Sequence, residues 1–433
     1  MELLFQTTNS SYKNNTSVRH SSFNGRKIFN DPVYGFIPVG NALVFDLIDH
    51  PWFQRLRRIK QLGMTDMVYP GALHTRFHHS IGAMHLMNHA INSLRLKGVE
   101  INDEEANEAA VSILLHDIGH GPFSHALENS IIENIDHEMI SRIYMDRLNA
   151  EFDGQLQGAI NIFENSCKRK FLHQLVSSQL DMDRLDYLKR DSFYTGVSEG
   201  VVNAERIIKM LYVQDDKIVV EEKGIYSIEK FIIARRLMYW QVYLHKTVLS
   251  AETMLMNILR RAKELSLGGE DLFATPVLDY FLKNRIGKNE LINDGSLLIK
   301  FSQLDDYDIY TAIKVWVNAK DPILSKLCKM LLNRQLFRCE LQSDMFPEDR
   351  ISCIRSEISK RYDLTEEEAS YFIITDSTEN HAYHPLSDKI NILYKSGKVV
   401  DIANASDQLN ITVLHKTVTK YFICYPKEFM NCS

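Results

Sequence analysis

The chain has 433 residues, of which 45% are hydrophobic and 24% charged, and its formal net charge is −6. Such a chain can bury a large core, has the make-up of a globular protein, and lacks the global basic field that would draw nucleic acid. No apolar run approaches the ~18 residues of a membrane span, and Met1–Phe5 passes at once into the polar Gln6–Ser11, too short for a secretory leader. A cytoplasmic protein is therefore expected. The cysteines (Cys167, Cys328, Cys339, Cys353, Cys424, Cys432) form no C-x-x-C pair, which excludes a zinc ribbon or a disulfide scaffold and leaves His and Asp as the metal ligands.

In chain order, residues 1–25 are rich in Ser, Asn and Thr and read as a mobile tail, with structure expected from about Ile28. A helix is predicted from near Ser80, carrying Ile81, Met84 and Met87 inward and leaving His79 at its entry. Asn102 followed by Asp103-Glu104-Glu105 is an N-cap with a capping-box acid. It launches a helix that ends at His116-Asp117 and the glycine stop Gly119. From Leu180 to about Arg190, Leu185 and Leu188 face inward while Asp183, Tyr187 and Asp191 recur every four residues along one face. Ser227 to about Leu265 lacks Gly and Pro and predicts one long buried helix bearing Arg235, Tyr239, Tyr243 and Lys246. Beyond about residue 330, the runs Tyr371–Ile374, Ile390–Tyr394 and Lys420–Cys424 read as strands, with Lys395–Lys398 as a hairpin turn. The expectation is a mainly α fold, with a helical core over 26–330 and a smaller α+β region over 331–433. No internal repeat and no Walker-type phosphate loop is present.

Chemistry concentrates in Leu114–His125, where His116-Asp117 closes an apolar helix. A lone His-Asp pair is ordinarily a hydrogen-bonded pair or a cap, yet burying it uncompensated costs ~2 to 7 kcal/mol per polar group. A divalent cation would compensate it. Two further motifs supply partners: Thr75–Gly82 contains His79, and Asp181–Asp191 contains Asp183. His79, His116, Asp117 and Asp183 are thus the candidate ligands. Nitrogen and oxygen donors suit iron, manganese, nickel or zinc, with magnesium able to join at a substrate phosphate.

A distant His, an adjacent His-Asp and a later Asp resemble the HD-domain phosphohydrolases. Lys60–Gly63, Tyr69–Ala72, Arg76–Ser80, His116–His125 and Asp186–Asp191 narrow the resemblance to the deoxynucleotide triphosphohydrolase branch, over about residues 27 to 260. That branch includes SAM-and-HD-domain enzymes and shorter bacterial relatives; no leading SAM-type module is present in this sequence. The resemblance implies metal-dependent release of a deoxynucleoside and inorganic triphosphate from a dNTP. It implies catalytic roles for His125, His137 and His120, with Glu128 orienting an imidazole where a close relative has Asp. Arg76, Arg184, Arg235 and Lys246 would bind the triphosphate. Gln61, Leu62, Tyr187 and Asp191 would line the sugar site, and Tyr243 would leave no room for a 2′-hydroxyl. Two departures stand out, His78 in place of a common Glu and Arg184 in place of a Lys. Family members assemble as homodimers or homotetramers, some with regulatory nucleotides between subunits, so a homo-oligomer with an activating nucleotide is in keeping. Two other readings stay open: another HD-type phosphohydrolase, a nucleotidase or phosphodiesterase, and a non-catalytic nucleotide sensor or nucleic-acid-binding regulator.

Overall fold

The computed structural model describes residues 27–123, 132–133, 135–380, 383, 389–406 and 418–429, so the expected tail, His125 and Glu128 lie outside the described residues. The chain enters as an antiparallel hairpin of β1 (Lys27–Asp31) and β2 (Gly35–Val39). Its turn is built locally. Asp31 Oδ1 accepts the amides of Val33 and Tyr34, both at 2.9 Å, and Gly35 adopts a φ of 76°, which a side chain would resist.

Helix α1 (Arg76–Leu96) starts earlier than expected, because Thr75 and His78 cap its first turn reciprocally. His79 therefore sits inside that turn with no exposed surface, and not at the entry. Helix α2 (Asp103–Leu115) begins as its sequence predicts: Glu105 N donates to Asn102 Oδ1 at 2.8 Å and Asn102 N to Glu105 Oε2 at 3.0 Å. Three acids in its first turn suit the positive end of the helix dipole. It hands over to His116 and Asp117 at its C-terminus. Helix α3 (His137–Glu151) is capped by Asp136, which accepts from Met139 N at 2.7 Å. Its first turn lies hard against Gly119, where a Cβ would meet the His137 carbonyl oxygen and the Ser141 nitrogen at 2.3 Å. That close approach brings His137 beside His120.

Helix α4 (Met182–Thr195) is capped by Asp181, which accepts from Arg184 N at 2.7 Å, and it stops at Gly196 with a φ of 75°. Leu185 and Leu188 are fully buried, worth roughly 1.5 to 3 kcal/mol each, and this burial fixes the face on which Asp183, Tyr187 and Asp191 lie. A tight hairpin follows, β3 (Leu211–Gln214) and β4 (Lys217–Glu221), turning on Asp215 and Asp216 with φ of 51° and 58°.

The expected single helix over 227–265 is two helices, α5 (Ile225–Met238) and α6 (Lys246–Leu267), joined by a π-helical turn at Tyr239–Tyr243. The extra residue of a π turn carries no Gly or Pro mark, so apolar periodicity could not show it. Tertiary contacts hold it: Tyr69 Oη donates to the Gln241 carbonyl at 2.6 Å, and His245 leaves helical geometry to cap Thr247.

Helix α8 (Pro322–Leu332) packs beside α6, and α7 (Asp306–Trp316) packs on α8. The rest of the chain adds β5 (Arg338–Gln342), helix α9 (Glu348–Tyr362), β6 (Ile374–Asn380), β7 (Asn391–Leu393), β8 (Val399–Asp401) and β9 (Val418–Tyr425). The order β5-β9-β6 makes one antiparallel sheet. Tyr371 and Phe372, expected in a strand, form a 3-10 turn, and β6 starts at Ile374. The Lys395–Lys398 turn does close a hairpin, β7 to β8, with Gly397 N bonded to the Tyr394 carbonyl at 2.9 Å. β7 then runs parallel to β4, so strands from both sides of residue 330 share the sheet β8-β7-β4-β3. The described residues form a mainly α fold around a continuous apolar core that includes Leu114, Leu188, Phe231, Leu327 and Phe372. None of their helices is long and apolar enough to cross a membrane.

Candidate metal centre

Helices α1, α2 and α4 converge on one point. His79 Nε2 lies 3.0 Å from Asp183 Oδ1 and 3.4 Å from His116 Nε2, and His116 Nε2 lies 3.5 Å from Asp183 Oδ1. Asp117 borders the same point, with Oδ1 3.4 Å from His116 Nε2 and Oδ2 3.8 Å from His79 Nε2. Donors on one ion with bonds of about 2.1 Å stand roughly 3.0 to 3.8 Å apart at angles of about 90° to 130°. His79, His116 and Asp183 therefore fit a single cation, while Asp117 borders that point and groups as well with His120 and His137.

The rings are pre-set for that role. His79 Nδ1 is 2.8 Å from Asp186 Oδ2, and His116 Nδ1 is 2.6 Å from the Ile113 carbonyl, so both imidazoles turn Nε2 inward. Burial alone would lower the His79 imidazole, but Asp183 and Asp186 outweigh it and raise it to about 10. Burial likewise opposes the charge of Asp183, yet His116 and His79 hold its carboxyl far below the ordinary range. The cluster is a set of opposite charges, with His79 buried and His116 and Asp183 half-buried. A cation binding there displaces protons from the imidazoles.

Asp117 also faces a second group. Its Oδ1 is 3.3 Å from His120 Nε2, and Arg76 Nη1 binds its Oδ2 at 2.5 Å. His120 stacks on His137 with ring centroids 3.8 Å apart. Burial, and then Arg76, push the His120 imidazole well below its ordinary value, so it is neutral at neutral pH. Its Nδ1 is buried and makes no hydrogen bond within the described residues. A neutral ring with a free nitrogen beside a metal centre can accept a proton or bind a polar ligand atom.

A polar wall extends from Asp183 along α4. Tyr187 follows, its ring 6.0 Å from Tyr243, which in turn lies 5.2 Å from Tyr239. Tyr243 Oη donates to Asp191 Oδ2 at 2.8 Å, and Asp191 Oδ1 binds His74 Nε2 at 2.7 Å. The His74 carbonyl accepts the Gln61 amide at 3.0 Å, with Leu62 half-buried next in the chain. Burial and Asp191 raise the Tyr243 hydroxyl, and burial and Tyr239 raise that of Tyr187, so both stay protonated at neutral pH. Gln61 Oε1, Arg184 Nε and Arg235 Nε are buried with no partner in the described residues. Arg184 is paired with Asp181 through another nitrogen. Lys246 stands apart: it is exposed at the start of α6 and in no ion pair of the described residues.

Models of the HD domain and of the HD associated region match residues 76–191 and 202–274. The chain is 34% identical to the uncharacterized protein YwfO of Bacillus subtilis, over 93% of each chain. The crystal structure of a phosphohydrolase from Bacteroides thetaiotaomicron superposes with a TM-score of 0.90 at 54% identity, over 92% of this chain and 99% of that one. The chain belongs to the HD-domain phosphohydrolases. Among its relatives is the deoxynucleoside triphosphate triphosphohydrolase SAMHD1 homolog of Dictyostelium discoideum, 33% identical over 58% of this chain and 52% of that protein.

Several residues passed over in the sequence support the site. Asp186 and Arg190 support His79, and their four-residue spacing on α4 is a visible ion-pair signal. His74 and His78, left without a role, hold Asp191 and cap α1. Asp31 and Asp306 reach the site only through the tertiary fold, and no local pattern marks them.

Proposed function

We propose that this HD-domain phosphohydrolase cleaves deoxynucleoside triphosphates to deoxynucleoside and inorganic triphosphate. The observation that carries this reading is the polar face that runs from the His79–His116–Asp183 cluster by way of Tyr187 and Tyr243 to Asp191, with unpartnered polar atoms on Gln61, His120, Arg184 and Arg235. Similarity to a protein named for that activity supports it.

One divalent transition metal on His79, His116, Asp117 and Asp183 (iron, manganese, nickel or zinc) would neutralise phosphate charge and lower the pKa of water towards ~7. Magnesium would accompany the substrate phosphates. Arg76, Arg184 and Arg235 carry guanidiniums suited to phosphate oxygens, and Lys246 adds charge from the rim. Gln61, Leu62, Tyr187 and Asp191 would hold the sugar. Tyr243, fixed by its bond to Asp191, would exclude a 2′-hydroxyl by clash, which is discrimination against ribose. His120 and His137 would orient the α-phosphate and accept protons. His125, supported by Glu128, would protonate the departing 5′-oxygen. The same reading includes a cytoplasmic homo-oligomer responsive to a nucleotide activator.

The test is turnover of each dNTP and each NTP by metal-loaded protein, with products resolved by ion exchange and a chelator control. Deoxynucleoside with intact triphosphate from dNTPs, at least ~100-fold slower reaction of NTPs, and loss of turnover in Asp183→Ala are expected. Monophosphate with pyrophosphate would move the assignment to another HD phosphohydrolase reaction. A metal-loaded protein with no turnover under any nucleotide pair would point to a sensor.

A further inference from the structure

A line of buried charges leaves the metal centre and ends in the N-terminal hairpin. Asp186 Oδ2 holds His79 Nδ1 at 2.8 Å. Arg190 grips that carboxylate with two nitrogens, Nε to Oδ2 at 2.9 Å and Nη2 to Oδ1 at 3.0 Å. Its third nitrogen, Nη1, donates to Asp31 Oδ2 at 2.7 Å. The side chains of His79, Asp186 and Arg190 have no exposed surface and that of Asp31 has 4%. Asp31 is itself oriented by backbone, since its other oxygen accepts the Val33 and Tyr34 amides of the hairpin turn. Tyr34 covers the guanidinium, its ring centroid 5.5 Å away.

The crossing needs space that only glycine leaves. A Cβ at Gly82 of α1 would fall 2.1 Å from both Arg190 Nη2 and Asp186 Oδ1. Arginine is the residue suited to the middle position, because one rigid planar fork can bond two carboxylates on different edges. Charge fixes the direction of the effect. Asp186 with Arg190 alone is neutral, whereas Asp31, Arg190 and Asp186 together carry one negative charge. That charge strengthens Asp186 as acceptor for the Nδ1 proton of His79, and a stronger acceptor makes Nε2 a better metal donor.

We propose that Asp31 is a positioning residue for the metal centre, acting through Arg190 and Asp186 on the His79 imidazole, so that seating of the N-terminal hairpin sets metal affinity. Asp31 lies outside the segment matched by the HD-domain model. The proposal rests on the reading of His79, His116, Asp117 and Asp183 as a metal centre.

The experiment uses full-length protein stripped by chelator and titrated with Mn2+ by calorimetry. Asp31→Asn retains an oxygen for the turn amides but puts an amide nitrogen where Oδ2 accepted from Arg190 Nη1, so it removes both the charge and that bond. We expect Asp186→Asn to weaken Mn2+ binding roughly 10- to 100-fold and Asp31→Asn about 3- to 10-fold, with the double variant no weaker than Asp186→Asn. The 15N shift of His79 Nδ1 should move in Asp31→Asn. Arg190→Lys keeps the charge but cannot span both carboxylates, and should also weaken binding if Asp31→Asn fails to fold. Wild-type affinity in a folded Asp31→Asn protein, or in Arg190→Lys where that is the variant that folds, overturns the relay. Losses that multiply fully in the double variant overturn it too. Wild-type protein that takes up no Mn2+ overturns the metal reading and the relay with it.

Discussion

Asp306 shows how a single residue can hold parts of the site together from outside it. It opens helix α7 and is 4% exposed. Its Oδ2 accepts the Lys60 amide at 2.9 Å, next to Gln61, and its Oδ1 accepts the Phe123 amide at 3.1 Å, past His120. Burial raises its carboxyl to about 6, against the pull of those two amides. A folded-state value above the unfolded ~3.9 means that the folded protein binds the proton more tightly. The stabilisation is full below about pH 4 and is lost as pH rises through about 6, by roughly 2 to 3 kcal/mol at most. Asp306→Asn cannot titrate, and its single oxygen leaves one amide unbonded, a pH-independent cost of about 1 kcal/mol. Urea unfolding should therefore show the advantage of wild type over Asp306→Asn shrinking between pH 4 and pH 7. A constant difference would contradict this account.

At the scale of elements, the sequence reads well where the determinants are local. The Asn102 cap, the stop of α2 before His116-Asp117 and the face carrying Asp183, Tyr187 and Asp191 all follow from residues within one or two turns. Local reading fails where tertiary contact decides. The π turn at Tyr239–Tyr243 is held by Tyr69, far away in sequence, and β7 needs β4 as partner. Glycines are the intermediate case, since Gly82 and Gly119 sit in plain motifs but their reason is the neighbour that comes close. Gly82→Ala would drive a methyl group into Arg190 and Asp186, separating α1 from α4. Overpacking of this kind costs ~1 to 3 kcal/mol, with Mn2+ affinity falling in parallel. An unchanged thermal midpoint would show that these helices do not meet as described.

At the scale of the whole molecule, chain far from the HD motifs packs on the elements that follow them. The β8-β7-β4-β3 sheet joins residues 391–401 to 211–221, and Ser250 of α6 bonds the Phe337 carbonyl at 2.9 Å. Asn257 of the same helix bonds the Tyr371 carbonyl at 2.8 Å. Removing residues 331–433 would strip a neighbour from β4 and take β5 off the apolar helix α6. The truncated chain should be insoluble, or lack a cooperative unfolding transition. A soluble fragment with cooperative melting would show that the helical part is independently stable.

The central claim, metal-dependent attack at the α-phosphorus of a dNTP, is tested most directly by turnover in H2(18)O followed by mass spectrometry of both products. The account predicts one 18O in the triphosphate and none in the deoxynucleoside, because water adds to phosphorus and the P–O5′ bond breaks. Label in the nucleoside, or label divided between nucleoside monophosphate and pyrophosphate, would contradict it.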